Sequence, residues 1–183
     1  MRSSTDNQPT LFLGIDNGPS GSVGVQEYNV RGMRYGMDFF ETPTYMLQDY
    51  TKAKKRISQL DMRFMRKYLR KYKEGWNIHI AMERPLVNPQ RFNASAVGLR
   101  VHQQWLDLFL FLRFPAPVSL DSKEWQKPFL PVGTSGDELK RSSKEIGMKL
   151  FPKHAEAIRK HKDADGMFIS EWMRRSIMGG MKK

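Results

Sequence analysis

Three short acidic motifs lie far apart in this chain, and the first two each end a run of apolar residues. Asp16 ends an apolar run over residues 11–16, and Glu83 ends another over residues 76–83. Each run is typical of a β-strand whose last side chain reaches the edge of a sheet. The third motif, with Asp163 and Asp165, begins a helical pattern. If folding joins these carboxylates, they form the kind of site that metal-dependent phosphodiester cleavage requires.

The hydrophobic pattern predicts a mixed α/β sheet. An antiparallel meander is predicted from strands at residues 11–16, 22–28 and 33–41, followed by strands at 76–83 and 115–120. Predicted helices cover residues 49–73, 95–114, 138–150 and 163–177, and a Trp-containing turn covers 123–131. This order predicts a five-stranded mixed sheet, with three antiparallel strands and then parallel strands, flanked by helices.

Composition restricts the partners and the metal. The chain has 31 Lys and Arg against 19 Asp and Glu, a net charge of +12, which suits a polyanion such as nucleic acid. Cysteine is absent, so a metal must be held by oxygen or imidazole, which favours Mg²⁺ or Mn²⁺. We expect residues 1–10 to be a flexible polar tail and 11–183 to be one domain. The sequence predicts no membrane span and no signal segment, and hence an intracellular protein.

Five stretches, in order along nearly the whole chain, carry a resemblance to a known family. They are Gly14-Ile15-Asp16-Asn17-Gly18, Met82-Glu83-Arg84-Pro85, Glu124-Trp125-Gln126-Lys127, Lys149-Leu150-Phe151-Pro152 and Ala164-Asp165-Gly166-Met167-Phe168-Ile169-Ser170. With them the chain resembles the RuvC-like Holliday-junction resolvases, in particular their phage-type branch, within the ribonuclease-H-like superfamily. The resemblance implies the ribonuclease-H-like fold and a site that binds two Mg²⁺ ions, for which Mn²⁺ can substitute.

The resemblance also implies which side chains bind the metal. Asp16 matches the aspartate that bridges both ions, Glu83 matches the glutamate that ends the fourth strand, and Asp165 matches the aspartate of the last helix. The fourth ligand remains open between Asp163 and His161. The position one helical turn before Asp165, where a fourth ligand would be expected, is Lys162, which cannot serve as a ligand. Because Mg²⁺ prefers oxygen, Asp163 is favoured.

Basic residues provide candidate DNA contacts. Residues 49–73 carry ten Lys and Arg, and a second basic cluster precedes the last helix. That cluster consists of Lys123, Lys127, Lys140, Arg141 and Lys144. Ser142 and Ser143 are further candidates for phosphate contact. Phe92, with Leu86 or Val87 as alternatives, is the candidate that stacks on an unpaired base at the junction centre.

The resemblance implies a metal-dependent crossover-junction endodeoxyribonuclease that makes paired nicks as a homodimer, in the cytoplasm of a bacterial or phage-infected cell near the nucleoid. The helix at 95–114 is the candidate dimer interface, and the alternative is a helix that is buried on two sides within one chain. Two alternatives stay open: an RNA-processing or RNA–DNA-hybrid nuclease of the same fold, and a catalytically silent junction- or RNA-binding scaffold.

Overall fold

The computed structural model describes residues 8–48, 52 and 56–179. Its strands are β1 (Thr10–Ile15), β2 (Ser22–Tyr28), β3 (Arg34–Glu41), β4 (Thr44–Gln48), β5 (Arg56–Leu60), β6 (Asn77–Glu83) and β7 (Val118–Leu120). Its α-helices are α1 (Met62–Leu69), α2 (Phe92–Leu112), α3 (Ser122–Gln126), α4 (Gly136–Leu150), α5 (Ala155–Lys160) and α6 (Asp165–Met178).

Five strands form the central sheet in the order β3-β2-β1-β6-β7. The first three strands along the chain pair antiparallel, whereas β6 pairs parallel with β1 and β7 pairs parallel with β6. The predicted fold class is therefore confirmed: this is the ribonuclease-H-like arrangement of a mixed five-stranded sheet flanked by helices.

The two faces of β1 contribute to two separate cores because side chains alternate along a strand. Leu11, Leu13 and Ile15 point into one core, which β1 shares with α1 and α2. Phe12 points into the other core, which lies under α3–α6. Both faces of the sheet are covered by helices, which explains why the predicted central strands have few polar residues.

Glycines allow α6 to approach β1 and β2 closely. A Cβ added at Gly14 would lie 2.7 Å from Ser170 Cα of α6, and one added at Gly24 would lie 2.6 Å from Met167 Cα. Gly166 on α6 is equally enclosed, since its added Cβ would lie 2.5 Å from the carbonyl oxygen of Ser22. This close packing fixes the N-terminus of α6 beside the end of β1.

The prediction of one long helix at residues 49–73 is wrong over residues 56–61 and holds for α1. β5 pairs antiparallel with β4 as a separate two-stranded hairpin, and the helix begins only after it, at α1. Asp61 provides the start signal, because its side chain accepts a hydrogen bond of 2.9 Å from Phe64 N. Residues 49–51 and 53–55 of the predicted helix lie outside the described residues.

Residues 56–60 were predicted as helix because their apolar spacing fits a helix as well as a strand. Ile57 and Leu60 fit the helical spacing of the residues that follow them, but cross-strand partners in β4 and a hydrogen bond from Leu60 N to Gln104 Oε1 of α2 (2.9 Å) favour an extended conformation. Short apolar segments do not distinguish the two states by periodicity alone.

The other predicted elements differ mainly at their ends. The predicted turn at 123–131 is wrong at its start, where α3 forms a short helix that buries Trp125. A capping box between Asp121 and Glu124 stabilises the N-terminus of this helix. α5 was not predicted. Of the expected polar tail, residues 1–7 lie outside the described residues; Thr10 already belongs to β1, and the carbonyl of Pro9 accepts a hydrogen bond from Asn77 N.

Within the described part of the chain, no helix has the length and apolar character that crossing a membrane requires.

Candidate metal centre

The parallel pairing of β1 with β6 brings the first two predicted carboxylates to one edge of the sheet. Ile15 of β1 is in register with Met82 of β6, so Asp16 and Glu83 follow as neighbours on adjacent strand ends. Asp16 is buried, and its backbone N–H donates to the carbonyl of Ser22 at 3.0 Å. The spatial proximity of these two positions follows from the sheet register.

The other two carboxylates come from the N-terminal end of α6. Asp165 is the first residue of α6, and Asp163 lies two residues earlier. One carboxylate oxygen from each of Asp16, Asp163 and Asp165 lies within 4.8 Å of the others. The structure thus places three of the four predicted ligands in one group, and Glu83 lies beside it.

Burial makes ionisation of this group costly. Burial raises the pKa of Asp16, although the ammonium of Lys162 opposes this effect. Burial, followed by the charge of Asp16, raises the pKa of Glu83 to about 7. Burial, followed by the charge of Asp163, holds the pKa of Asp165 well above its usual range. Bound positive charge would relieve this repulsion.

His161 contacts Asp163 directly. Its Nδ1 lies 3.0 Å from the carbonyl oxygen of Asp163 and 3.5 Å from Asp163 Oδ1. A carbonyl oxygen only accepts, so the hydrogen bond requires the proton on Nδ1. Burial raises the pKa of Asp163, but His161 and Lys162 outweigh burial and lower it overall. This geometry favours Asp163 as the fourth ligand and gives His161 the role of holding it.

The donor set fits a hard divalent ion. The grouped ligand atoms are all carboxylate oxygens, which Mg²⁺ and Mn²⁺ prefer. Asp163 is 1% exposed, and its Oδ2 pairs with Lys162 Nζ at 3.1 Å. A buried carboxylate oxygen that faces other carboxylates and already attracts a positive charge is suited to binding a cation.

Two serines support the carboxylates. Ser122, the first residue of α3, donates a hydrogen bond to Glu83 Oε1. Ser143 of α4 donates to Asp165 Oδ1 at 2.5 Å. Ser143 is buried, so the phosphate contact suggested for it by the sequence is wrong. The sequence gives no signal for either role. Ser122 lies 39 residues from Glu83 and Ser143 lies 22 residues from Asp165, and neither spacing forms a recognisable motif.

Two solved structures are similar to this chain over nearly its whole length. The first is T. thermophilus RuvC in complex with Holliday junction substrate, at a TM-score of 0.47 and 11% identity, covering 96% of this chain and 98% of that one. The second is a Thermus thermophilus RuvC structure, at 0.47 and 13%, covering 95% and 98%. No family model matches the chain, and no curated protein matches its sequence.

The predicted basic residues lie on two helices that support the carboxylates. Lys123 and Lys127 are exposed on and just after α3, which also supplies Ser122. They line an open cavity of about 450 Å³ that reaches Leu139 of α4. The remaining three, Lys140, Arg141 and Lys144, lie on α4, the helix that supplies Ser143.

The predicted wedge and interface residues have separate environments. Phe92 begins α2 and is 73% exposed, next to the loop that follows Glu83. Trp105 and Phe109 of α2 are buried within the chain, and so is Phe114 just beyond it. Of the four aromatic residues in the predicted interface at 95–114, Phe111 alone is exposed, at 63%. Most of the apolar surface of α2 thus serves the core of a single chain.

Proposed function

We propose that this chain is a metal-dependent, structure-selective endodeoxyribonuclease that resolves four-way DNA junctions by paired nicks. The observation that carries the proposal is the group formed by Asp16, Asp163 and Asp165, with Glu83 beside it, at the edge of a sheet in a strongly basic chain. Repelling carboxylates at a surface that binds phosphates are unfavourable unless a metal neutralises them.

The four carboxylates would hold Mg²⁺ or Mn²⁺. When bound, such ions activate a water for attack on the phosphorus and stabilise charge on the leaving oxygen. Other residues of the chain position the carboxylates that would bind the metal. Ser122 orients Glu83, Ser143 orients Asp165, and the close packing of α6 on β1 places the α6 carboxylates against Asp16.

Phosphate contacts from basic residues would position DNA without reading its sequence. Lys123 and Lys127 carry exposed charge on the helix that adjoins Glu83. The hairpin β4–β5 is a second candidate surface, because β3 ends opposite Ser22 at the carboxylate edge and the hairpin follows directly. Arg56 and Lys52 are exposed on it.

Selectivity for a junction is proposed from the five ordered sequence stretches that resemble resolvases, and two exposed apolar side chains suit it. Phe92 is free to stack on an unpaired base. Paired nicks require two sites related by a two-fold axis. Phe111 on α2 is exposed beside Met62 and Arg66 of α1 and offers an apolar side chain for that interface.

The deciding experiment compares three end-labelled substrates with Mg²⁺, Mn²⁺ or EDTA: a four-way junction, a linear duplex and an RNA–DNA hybrid. Asp16→Asn is the matched variant. We expect paired symmetric nicks on the junction alone, dependent on metal and abolished in Asp16→Asn. That variant should still bind the junction, as tightly or more tightly, because it removes negative charge from a phosphate site.

Other outcomes separate the alternatives. Cutting of the hybrid but not the junction would keep the metal site and change the substrate. Tight junction binding without cutting under any metal would indicate a scaffold. Loss of binding together with cutting in Asp16→Asn would assign Asp16 to the fold instead. Phe92→Ala should lower junction cutting and leave duplex binding unchanged if Phe92 stacks at the junction centre.

A further inference from the structure

Lys162 places a positive charge inside the carboxylate group. Its Nζ lies 3.4 Å from Asp16 Oδ2 and 3.1 Å from Asp163 Oδ2. Its side chain is 37% exposed, so the stem comes in from solvent and only the ammonium reaches the carboxylates. Among the described residues, no other lysine and no arginine forms an ion pair with these aspartates.

The two carboxylates that contact Lys162 both belong to the group of three that could hold a metal ion. Asp16 Oδ2 and the buried Asp163 Oδ2 both contact the Lys162 ammonium. An ammonium and a divalent ion repel each other and compete for the same lone pairs. Both cations therefore cannot occupy this side of the group together.

Asp165 differs in this respect. It is held by Ser143, and none of the described basic residues forms an ion pair with it. Its carboxyl oxygens, with those of the adjacent Glu83, remain available to a divalent ion. Lys162 thus neutralises the side of the group formed by Asp16 and Asp163, and the Asp165 side remains open to a metal ion.

We propose that Lys162 takes the place of one of the two divalent ions, so that the DNA-free protein binds one ion on the Asp165 side of the group. The inference rests on the proposed metal site and specifies its stoichiometry. Lys162 then also supplies the positive charge that stabilises the group before any metal binds.

The experiment measures Mn²⁺ binding directly, by isothermal titration calorimetry and electron paramagnetic resonance on the full chain. The variants are Lys162→Gln, Lys162→Arg, Asp16→Asn and the matched control Lys160→Gln, which removes an exposed positive charge two residues away. We expect one Mn²⁺ per wild-type chain. Lys162→Gln should bind two ions and bind the first about tenfold more tightly, because a nearby positive charge is removed.

The controls and a second readout keep the test independent of cutting. Lys162→Arg should keep one ion because it keeps the charge, and Lys160→Gln should match the wild type. Without metal, Lys162→Gln should melt at a lower temperature than the wild type, and Mn²⁺ should raise its melting temperature more than that of the wild type.

The remaining outcomes distinguish the role of Lys162 from the existence of the metal site. Two ions in the wild type, or unchanged stoichiometry and affinity in a folded Lys162→Gln, would overturn the role of Lys162 and leave the metal site in place. Failure of the wild type and Asp16→Asn alike to bind Mn²⁺ would overturn the metal site itself, and with it both proposals.

Discussion

Ser143 Oγ donates a hydrogen bond of 2.5 Å to Asp165 Oδ1 and accepts one of 3.1 Å from the backbone N–H of Ala164. One hydroxyl group on α4 thereby fixes both the backbone that leads into α6 and the first carboxylate of that helix. Ala164 is otherwise buried against Gly147 of α4, so the two helices meet at this point.

Ser143→Ala should weaken the candidate metal centre. The change leaves the buried Ala164 N–H without its partner, which costs about 1–3 kcal/mol of unfolding free energy. It also frees Asp165 to move, so Mn²⁺ affinity should fall by about tenfold or more. Urea denaturation and calorimetric titration measure the two effects. Ser142→Ala, one residue away and only half-buried, is the control. Unchanged affinity in a stable Ser143→Ala would show that the hydroxyl group only supports the fold.

Gly14→Ala should destabilise the protein strongly. The added methyl would lie 2.7 Å from Ser170 Cα, and neither β1 nor α6 can retreat without opening a core. We expect the unfolding free energy to fall by about 3 kcal/mol. Gly98→Ala is the matched control, since its Cβ meets nothing within 4 Å in the middle of α2. That change should stabilise the protein by about 0.5–1 kcal/mol, since alanine favours the helix. Equal effects of the two changes would contradict the close packing.

Glu171 should make stability depend on acid pH. Burial raises its pKa, but hydrogen bonds from Arg174 (2.7 and 2.8 Å) and Arg175 (2.9 Å) outweigh burial and lower it below 4.5. A folded-state pKa below the unfolded one contributes stability that is present above pH 4.5 and disappears as pH falls through the lower value.

Glu171→Gln should therefore cost about 1–2 kcal/mol near neutral pH, and the difference from wild type should shrink as the pH falls below 4.5. Urea denaturation at several pH values measures it. Glu156→Gln, whose exposed ion pair with Arg159 lies on α5, should change little at any pH. A difference that persists unchanged into acid would assign the cost to packing instead of charge.

Lys123 and Lys127 should contact phosphate. The double variant Lys123→Gln/Lys127→Gln should bind junctions of different sequence more weakly by a similar factor. The slope of log affinity against log salt should fall by about 2, one unit for each phosphate that the variant no longer neutralises. Lys153→Gln is the control because Lys153 lies far from the carboxylates. It lies near Arg34, the first residue of β3, whereas Asp16 lies near the other end of that strand. Weaker binding at a constant salt slope would mean that neither lysine meets a phosphate.

Phe111→Glu should convert the proposed dimer to a monomer without unfolding the chain. Phe111 is exposed on α2, so the charge costs little within one chain but would be buried in an interface. Sedimentation velocity measures the change in mass. Met33→Glu, an equally exposed apolar residue between β2 and β3, should leave the mass unchanged. A wild type that sediments as a monomer at all concentrations would remove α2 as an interface.

The sequence by itself determined the elements that rest on local pattern. β2 begins and ends at the predicted residues, and the ends of β1, β3 and β6 differ from the prediction by no more than one residue, because alternation and strand length are local properties. Asp16 and Glu83 were found from the sequence for the same reason, since each ends an apolar strand. Asp163 and Asp165 were also found from the sequence, as an acidic motif at the start of a helical pattern, and the resemblance gave Asp165 its role as a metal ligand.

Tertiary structure alone decided the rest. Whether residues 56–60 form a helix or a strand depended on cross-strand partners in β4 and on Gln104, which no local pattern reveals. Ser143 joined Asp165 because α4 packs on the start of α6. Lys162, which the sequence excluded as a ligand, reached Asp16 across 146 positions of chain because folding placed both at one edge of the sheet. Interactions between distant residues depend on how elements pack, and packing is settled by the whole chain at once.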